Sequence, residues 1–208
     1  MNRLYVLVLS MVVAGFAAAP ARADAPAILV FGDSISAGYG LSPPDKGWVN
    51  LLQARITAEG YGYHVINASV SGETTAGGLA RLPRALSTHH PRIVVIELGG
   101  NDGLRALPVA ALRTNLVQMV DLARAAGAKV LLLGMRMPPN YGPEYTEKFL
   151  ATYAEVGHLR HVAVLPFLLE GIALSPELMQ ADGIHPNEKG QPRLLANVWP
   201  VIRPLLSP

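Results

Sequence analysis

The chain has 208 residues, with 17 lysines and arginines against 15 acidic residues, six histidines and no cysteine. The missing thiol excludes disulfides, cysteine nucleophiles and cysteine-based zinc sites. No block of like charge favours nucleic acid or an anionic membrane surface as a partner.

Asn2 and Arg3 open the chain, residues 4–19 are apolar, and Ala21-Arg22-Ala23 has the small-x-small form of a cleavage site. That order predicts a secretory signal peptide over residues 1–23, removed in the mature protein, and a single domain over 24–208. The apolar run falls short of the roughly 20 residues that span a bilayer, and no cysteine is present to carry a lipid. No stable membrane anchor is therefore expected. Without Arg3 and Arg22 the chain holds 15 charges of each sign. The expected product is a neutral monomer in the periplasm or the medium.

Residues 27–31, AILVF, read as a strand, and 48–59 as a helix with Val49, Leu52 and Ile56 on one face. Residues 64–68 follow as a strand, 78–87 as a helix, and 93–98 as a strand. In 109–126, Leu112, Leu116, Met119 and Leu122 recur at helical spacing. Residues 130–133 form the next strand, 145–159 a helix and 162–165 the last strand. A final helix begins near 187, with Pro192 tolerable in its first turn and Pro200 set to kink or end it. Strands that are unbroken aliphatic runs belong to sheets covered on both faces. Alternating strands and helices then predict a parallel, doubly wound α/β sandwich. Ligands bind such sheets beyond the carboxyl ends of the strands.

Four segments sit where that rule points: Gly32-Asp33-Ser34, Ser69-Val70-Ser71-Gly72, Gly99-Gly100-Asn101-Asp102, and Asp182-Gly183-Ile184-His185-Pro186-Asn187. Singly, each suits an ordinary turn, and Asn187 suits a helix N-cap. Together they hold a serine, a histidine, carboxylates, an amide and bare glycine N–H groups, the parts of serine acyl transfer. A serine hydroxyl needs a neighbouring base, and a carboxylate on the far ring nitrogen orients that base. Asp182, three residues from His185, and Asp102 compete for the orienting role, and the short spacing favours Asp182. The N–H groups of Ser34 and Gly72 and the Asn101 amide are candidates for holding an oxyanion. Asp33 reads as a turn-stabilising acceptor. Gly157 argues against a helix that would align His158 with His161, and no histidine set has zinc-site spacing. No cofactor or metal is expected.

The blocks GDSIS, SGET, GGND and DGIHPN, in that order, resemble the consensus blocks of the SGNH (GDSL) hydrolase superfamily. The stretches VFGDSISAGYG, ASVSGETTAGGLARLP, ELGGNDGLR and RMPPNYG are most similar to its bacterial thioesterase I, arylesterase and lysophospholipase group. The resemblance, from about Ala27 to the chain end, implies a flavodoxin-like three-layer α/β/α sandwich with a mainly parallel five-stranded sheet. It implies Ser34, Asp182 and His185 as a triad and Ser34, Gly72 and Asn101 as the oxyanion hole. Met137 stands where that group is expected to carry leucine. The implied partner is a small ester or thioester, or a lysophospholipid, bearing an acyl chain. Leu104, Leu107, Met137, Pro138 and Tyr141, on two loops beyond strands, are expected to bind that chain. A carbohydrate O-deacetylase with an open polar cleft and a non-catalytic exported binding module are the alternatives.

Overall fold

A computed structural model describes residues 25–207; the expected signal peptide, residues 1–23, lies outside the described residues. In chain order the main elements are β1 (Ala27–Gly32), α1 (Ser34–Ala37), α2 (Trp48–Ala58), β2 (His64–Asn67), α3 (Thr75–His89) and β3 (Ile93–Glu97). Then come α4 (Gly100–Leu104), α5 (Val109–Ala125), β4 (Lys129–Leu133), α6 (Pro143–Arg160), β5 (Ala163–Leu165) and α7 (Gln191–Ile202). The five strands are parallel throughout, in the order β2-β1-β3-β4-β5. β1 and β3 lie inside the sheet and are buried along their whole length, whereas the edge strands β2 and β5 are partly exposed.

Right-handed crossovers send α3, α5 and α6 to one face, where they pack side by side, and α2 and α7 to the other. Burial of Trp48, Leu52 and Ile56 from α2 and of Leu112, Leu116 and Met119 from α5 closes the two outer layers over the sheet. The chain reverses its direction of travel between β1 and β3, so the crevice of a doubly wound sheet opens above their carboxyl ends.

The structure departs from the sequence expectations at five helices. Helix α3 starts at Thr75, with the Thr74 hydroxyl accepting the Gly77 N–H at 3.3 Å; Gly77 and Gly78 hide this start from a propensity reading. Gly78 is there for packing, since a Cβ would sit 2.4 Å from Leu98 Cδ1. Helix α6 runs through Gly157 to Arg160, because a Cβ at 157 would meet Val164 Cγ2 at 2.1 Å; the helix needs that bare backbone to lie against β5. Pro200 neither ends nor breaks α7, which stops at Ile202. The short helices α1 and α4 stand where plain turns were expected.

Candidate active site

Chemistry at the crevice begins with the end of β1. Asp33 caps α1, its Oδ1 accepting the Ile35 N–H at 3.0 Å, and this presents Ser34 as the first helical residue. Glu97, the last residue of β3, is fully buried behind this turn. Its Oε2 accepts the Ser36 hydroxyl at 2.7 Å and the Asp33 N–H at 3.3 Å, while its Oε1 has no partner. Burial, then the neighbouring Asp33 charge, pushes the Glu97 carboxyl well above the usual range and favours its neutral form. Burial likewise pushes Asp33 up to about 6, against the Ile35 N–H, the His185 charge and the Asn101 amide, which favour its anion.

A second turn descends from the far end of the chain. Asp182 Oδ1 accepts the N–H groups of Ile184 and His185 at 2.9 and 3.0 Å, and Gly183 takes φ +66° to close the turn. Asp182 Oδ2 lies 2.7 Å from His185 Nδ1. A carboxylate there accepts, so Nδ1 carries the proton and leaves the Nε2 lone pair to accept the Ser34 hydroxyl, 2.8 Å away. Desolvation works against the Asp182 anion, but the bonds from the His185 and Ile184 N–H groups and the ring outweigh it and hold its pKa down to about 2. Outside the turn, Gln180 ties it to the Tyr39 carbonyl at 2.8 Å, and the Tyr39 ring lies 4.7 Å from the imidazole. Asn187 caps a short 3₁₀ turn rather than α7 itself, its Oδ1 accepting from Lys189 and Gly190.

Gly72 and Asn101 flank Ser34 in one cleft. The loop at Gly72 needs φ +80°, and its neighbour Val70 donates to the Gly32 carbonyl at 3.0 Å. Asn101 Nδ2 donates to Asp33 Oδ2 at 3.1 Å, which uses one of its two N–H bonds and leaves the second for the cleft. Gly99, at φ +119°, lets the chain turn into α4 where a side chain would strike the Tyr153 hydroxyl. Asp102 is turned away. Its carboxylate accepts the N–H and hydroxyl of Thr75, which anchors α3 and removes it from any role on the histidine.

The cleft has a volume of about 840 Å³ and is mainly apolar, with Leu104, Met135, Met137, Pro138, Phe167 and Leu174 among its walls. Leu104, Met137 and Pro138 thus lie where the sequence reading put them, although Met137 is buried beneath Gly103. Leu107 and Tyr141 do not. They line a separate depression between α5 and α6, because the Tyr141 hydroxyl reaches back to the Leu104 carbonyl at 3.0 Å and turns its ring away. Asp33 does more than stabilise a turn, since it also holds Asn101. Glu97, Tyr39 and Arg136 were not anticipated; a carboxylate closing the aliphatic run IVVI was the available signal for Glu97.

Residues 30–193 match the model of the GDSL-like Lipase/Acylhydrolase family. The chain is 57% identical over 185 residues to Esterase TesA of Pseudomonas aeruginosa, covering 89% of this chain and 92% of that one. It is 42% identical over 185 residues to the Thioesterase 1/protease 1/lysophospholipase L1 of Escherichia coli K12, covering 89% and 87%. Among solved structures, the psychrotrophic esterase EstA from Pseudoalteromonas sp., inhibited by monoethylphosphonate, superposes with a TM-score of 0.82 at 41% identity, covering 86% of this chain and 97% of that one.

Proposed function

This chain belongs to the GDSL-like lipase/acylhydrolase family, and on that premise we propose that it is a serine carboxylic ester hydrolase working through an acyl-enzyme on Ser34. The observation that carries the reading is the bridging imidazole, 2.7 Å from Asp182 on one side and 2.8 Å from the Ser34 hydroxyl on the other. His185 Nε2 takes the Ser34 proton as Oγ bonds to the acyl carbonyl carbon. The carbonyl oxygen gains the electron pair and is held by the N–H groups of Ser34 and Gly72 and the free N–H of Asn101. Collapse expels the alkoxide or thiolate, which leaves with the proton from His185. Water, deprotonated by the same ring, then releases the acid and restores Ser34. Asp182 keeps Nδ1 protonated and stabilises the imidazolium.

An acyl chain is the fitting substrate half. The apolar walls support it and count against the carbohydrate deacetylase, which calls for a polar cleft, and a binding module has no use for an aligned proton relay. Aryl esters of rising acyl length, beside an acyl thioester and a lysophospholipid, test the reading. Turnover rises with chain length, and Ser34→Ala loses on the order of 10⁶ in kcat on every substrate. A purified, folded Ser34→Ala variant that kept most of its activity would overturn it. The leader-like residues 1–23 support export to the periplasm or medium, with the mature chain beginning near Asp24. An exported protein whose first residue lies within the leader would contradict this.

A further inference from the structure

Five arginines of the described surface spend their charge on a carboxylate within the protein. Arg55, Arg81, Arg113, Arg160 and Arg203 each meet a carboxylate. Arg136 does not. It follows β4 between Met135 and Met137, both buried, so its backbone is fixed while its side chain is exposed. Its guanidinium lies over the Phe167 ring, 5.0 Å from the centroid. Both residues line the cleft that holds Ser34 and His185, and Arg136 is the only lysine or arginine on that wall. A guanidinium held over a ring spends no hydrogen bond on a carboxylate there, and its N–H fork suits a phosphate or carboxylate. Among the described residues no carboxylate pairs with it.

We propose that Arg136, braced on Phe167, is a binding residue for a phosphate group on the leaving half of the substrate. This rests on the ester-hydrolase reading above and assigns a side chain to discriminating among its substrates, favouring acyl esters or thioesters whose alcohol or thiol carries an esterified phosphate. The apolar walls take the acyl chain, and the guanidinium takes the charged end. Glu170, the exposed carboxylate on the same wall, works against the anion. It therefore favours a singly charged, esterified phosphate over a dianionic monoester. That chemistry occurs in a lysophospholipid headgroup and in the diphosphate bridge of an acyl-CoA.

The experiment compares wild type, Arg136→Gln and Arg136→Lys on four monomeric substrates: lysophosphatidylglycerol, the monoacylglycerol with the same acyl chain, an acyl-CoA, and a neutral aryl ester. Arg136→Gln loses about ten- to a hundredfold in kcat/KM on a phosphate-bearing substrate, mostly through KM. It stays within about twofold on the monoacylglycerol and aryl ester, and Arg136→Lys recovers part of the loss. A loss confined to the lysophospholipid names the lipid headgroup as the source, and one confined to the acyl-CoA names the thioester. Equal losses on neutral and phosphorylated substrates overturn the proposal and make Arg136 a packing residue. So does an unchanged KM on both phosphate-bearing substrates, or a wild type that turns over neither. A wild type inert even on the aryl ester sinks the hydrolase reading instead, a separate result.

Discussion

Residues 32–36 and residues 182–185 meet through one hydrogen bond, yet the first segment is buried except at Ser34 and the second lies at the surface. Asp33 and Ser36 are 2% exposed and Glu97 is fully buried, whereas the Asp182 side chain is 37% exposed. The nucleophile turn is gripped by a strand carboxyl behind it, by Asn101 beside it and by the Asn67 amide, which donates to the Ser36 carbonyl at 2.7 Å. The histidine turn holds itself, through Asp182 and the Gln180 tie to Tyr39. The two aspartates register the contrast as opposite shifts, Asp33 up to about 6 and Asp182 down to about 2. The buried side fixes where the proposed nucleophile and oxyanion cradle stand. The exposed side supplies the base that takes up and returns the proton.

That division can be broken, starting with its largest effect. Asp182→Asn leaves the turn able to form but strips the imidazole of the acceptor that fixes its tautomer, and kcat falls by about 10²–10⁴ with the fold intact. Initial rates beside a circular dichroism spectrum check this, and an unaffected variant would reopen the orienting role. Asp33→Asn offers an amide where Asn101 needs an acceptor. A loss of about ten- to a hundredfold in kcat is expected, with KM changed less, because the oxyanion donor is turned.

The smaller effects concern stability. Asp33 holds its proton more tightly folded than unfolded, so its neutral form contributes stability in full below about pH 4, and that contribution is lost as pH rises toward about 6. Asp182 has the opposite sign: its contribution is present above its ordinary 3.8 and is lost as pH falls through about 2. Its exposure makes that contribution small. Urea unfolding of wild type and Asp33→Asn across this range checks the pair, since the variant flattens the slope between about pH 4 and 6 and leaves the acid limb alone. Smallest is Glu97→Gln. A neutral amide replaces a carboxyl whose neutral form burial favours, so stability at pH 7 moves by no more than about 1 kcal/mol, measured by the same unfolding curves. A collapse of several kcal/mol would mean that Glu97 is buried as an anion.

How much of this was readable beforehand follows the range of the forces involved. The strands were legible because Ile28 to Phe31 and Ile93 to Ile96 are apolar on both faces, a local pattern. Ser34, Asp182 and His185 were legible because each sits in a short block with its own turn residues. What escaped depends on neighbours distant in sequence. Gly157 reads as a helix breaker until Val164 is seen against it. Tyr141 reads as a cleft wall until its hydroxyl is seen on Leu104. Asp102 stays a rival for the histidine until Thr75 claims it. The helices α1 and α4 are too short to leave any periodic trace.

The hydroxyl at 34 and the ring at 185 stand 151 positions apart along the chain. On a ribosome the proposed nucleophile and its anion cradle therefore emerge long before the histidine assigned to deprotonate that serine. A polypeptide stopped short of Asp182 carries a serine without the ring that would activate it. The order of translation itself keeps the unfinished chain inactive as a hydrolase.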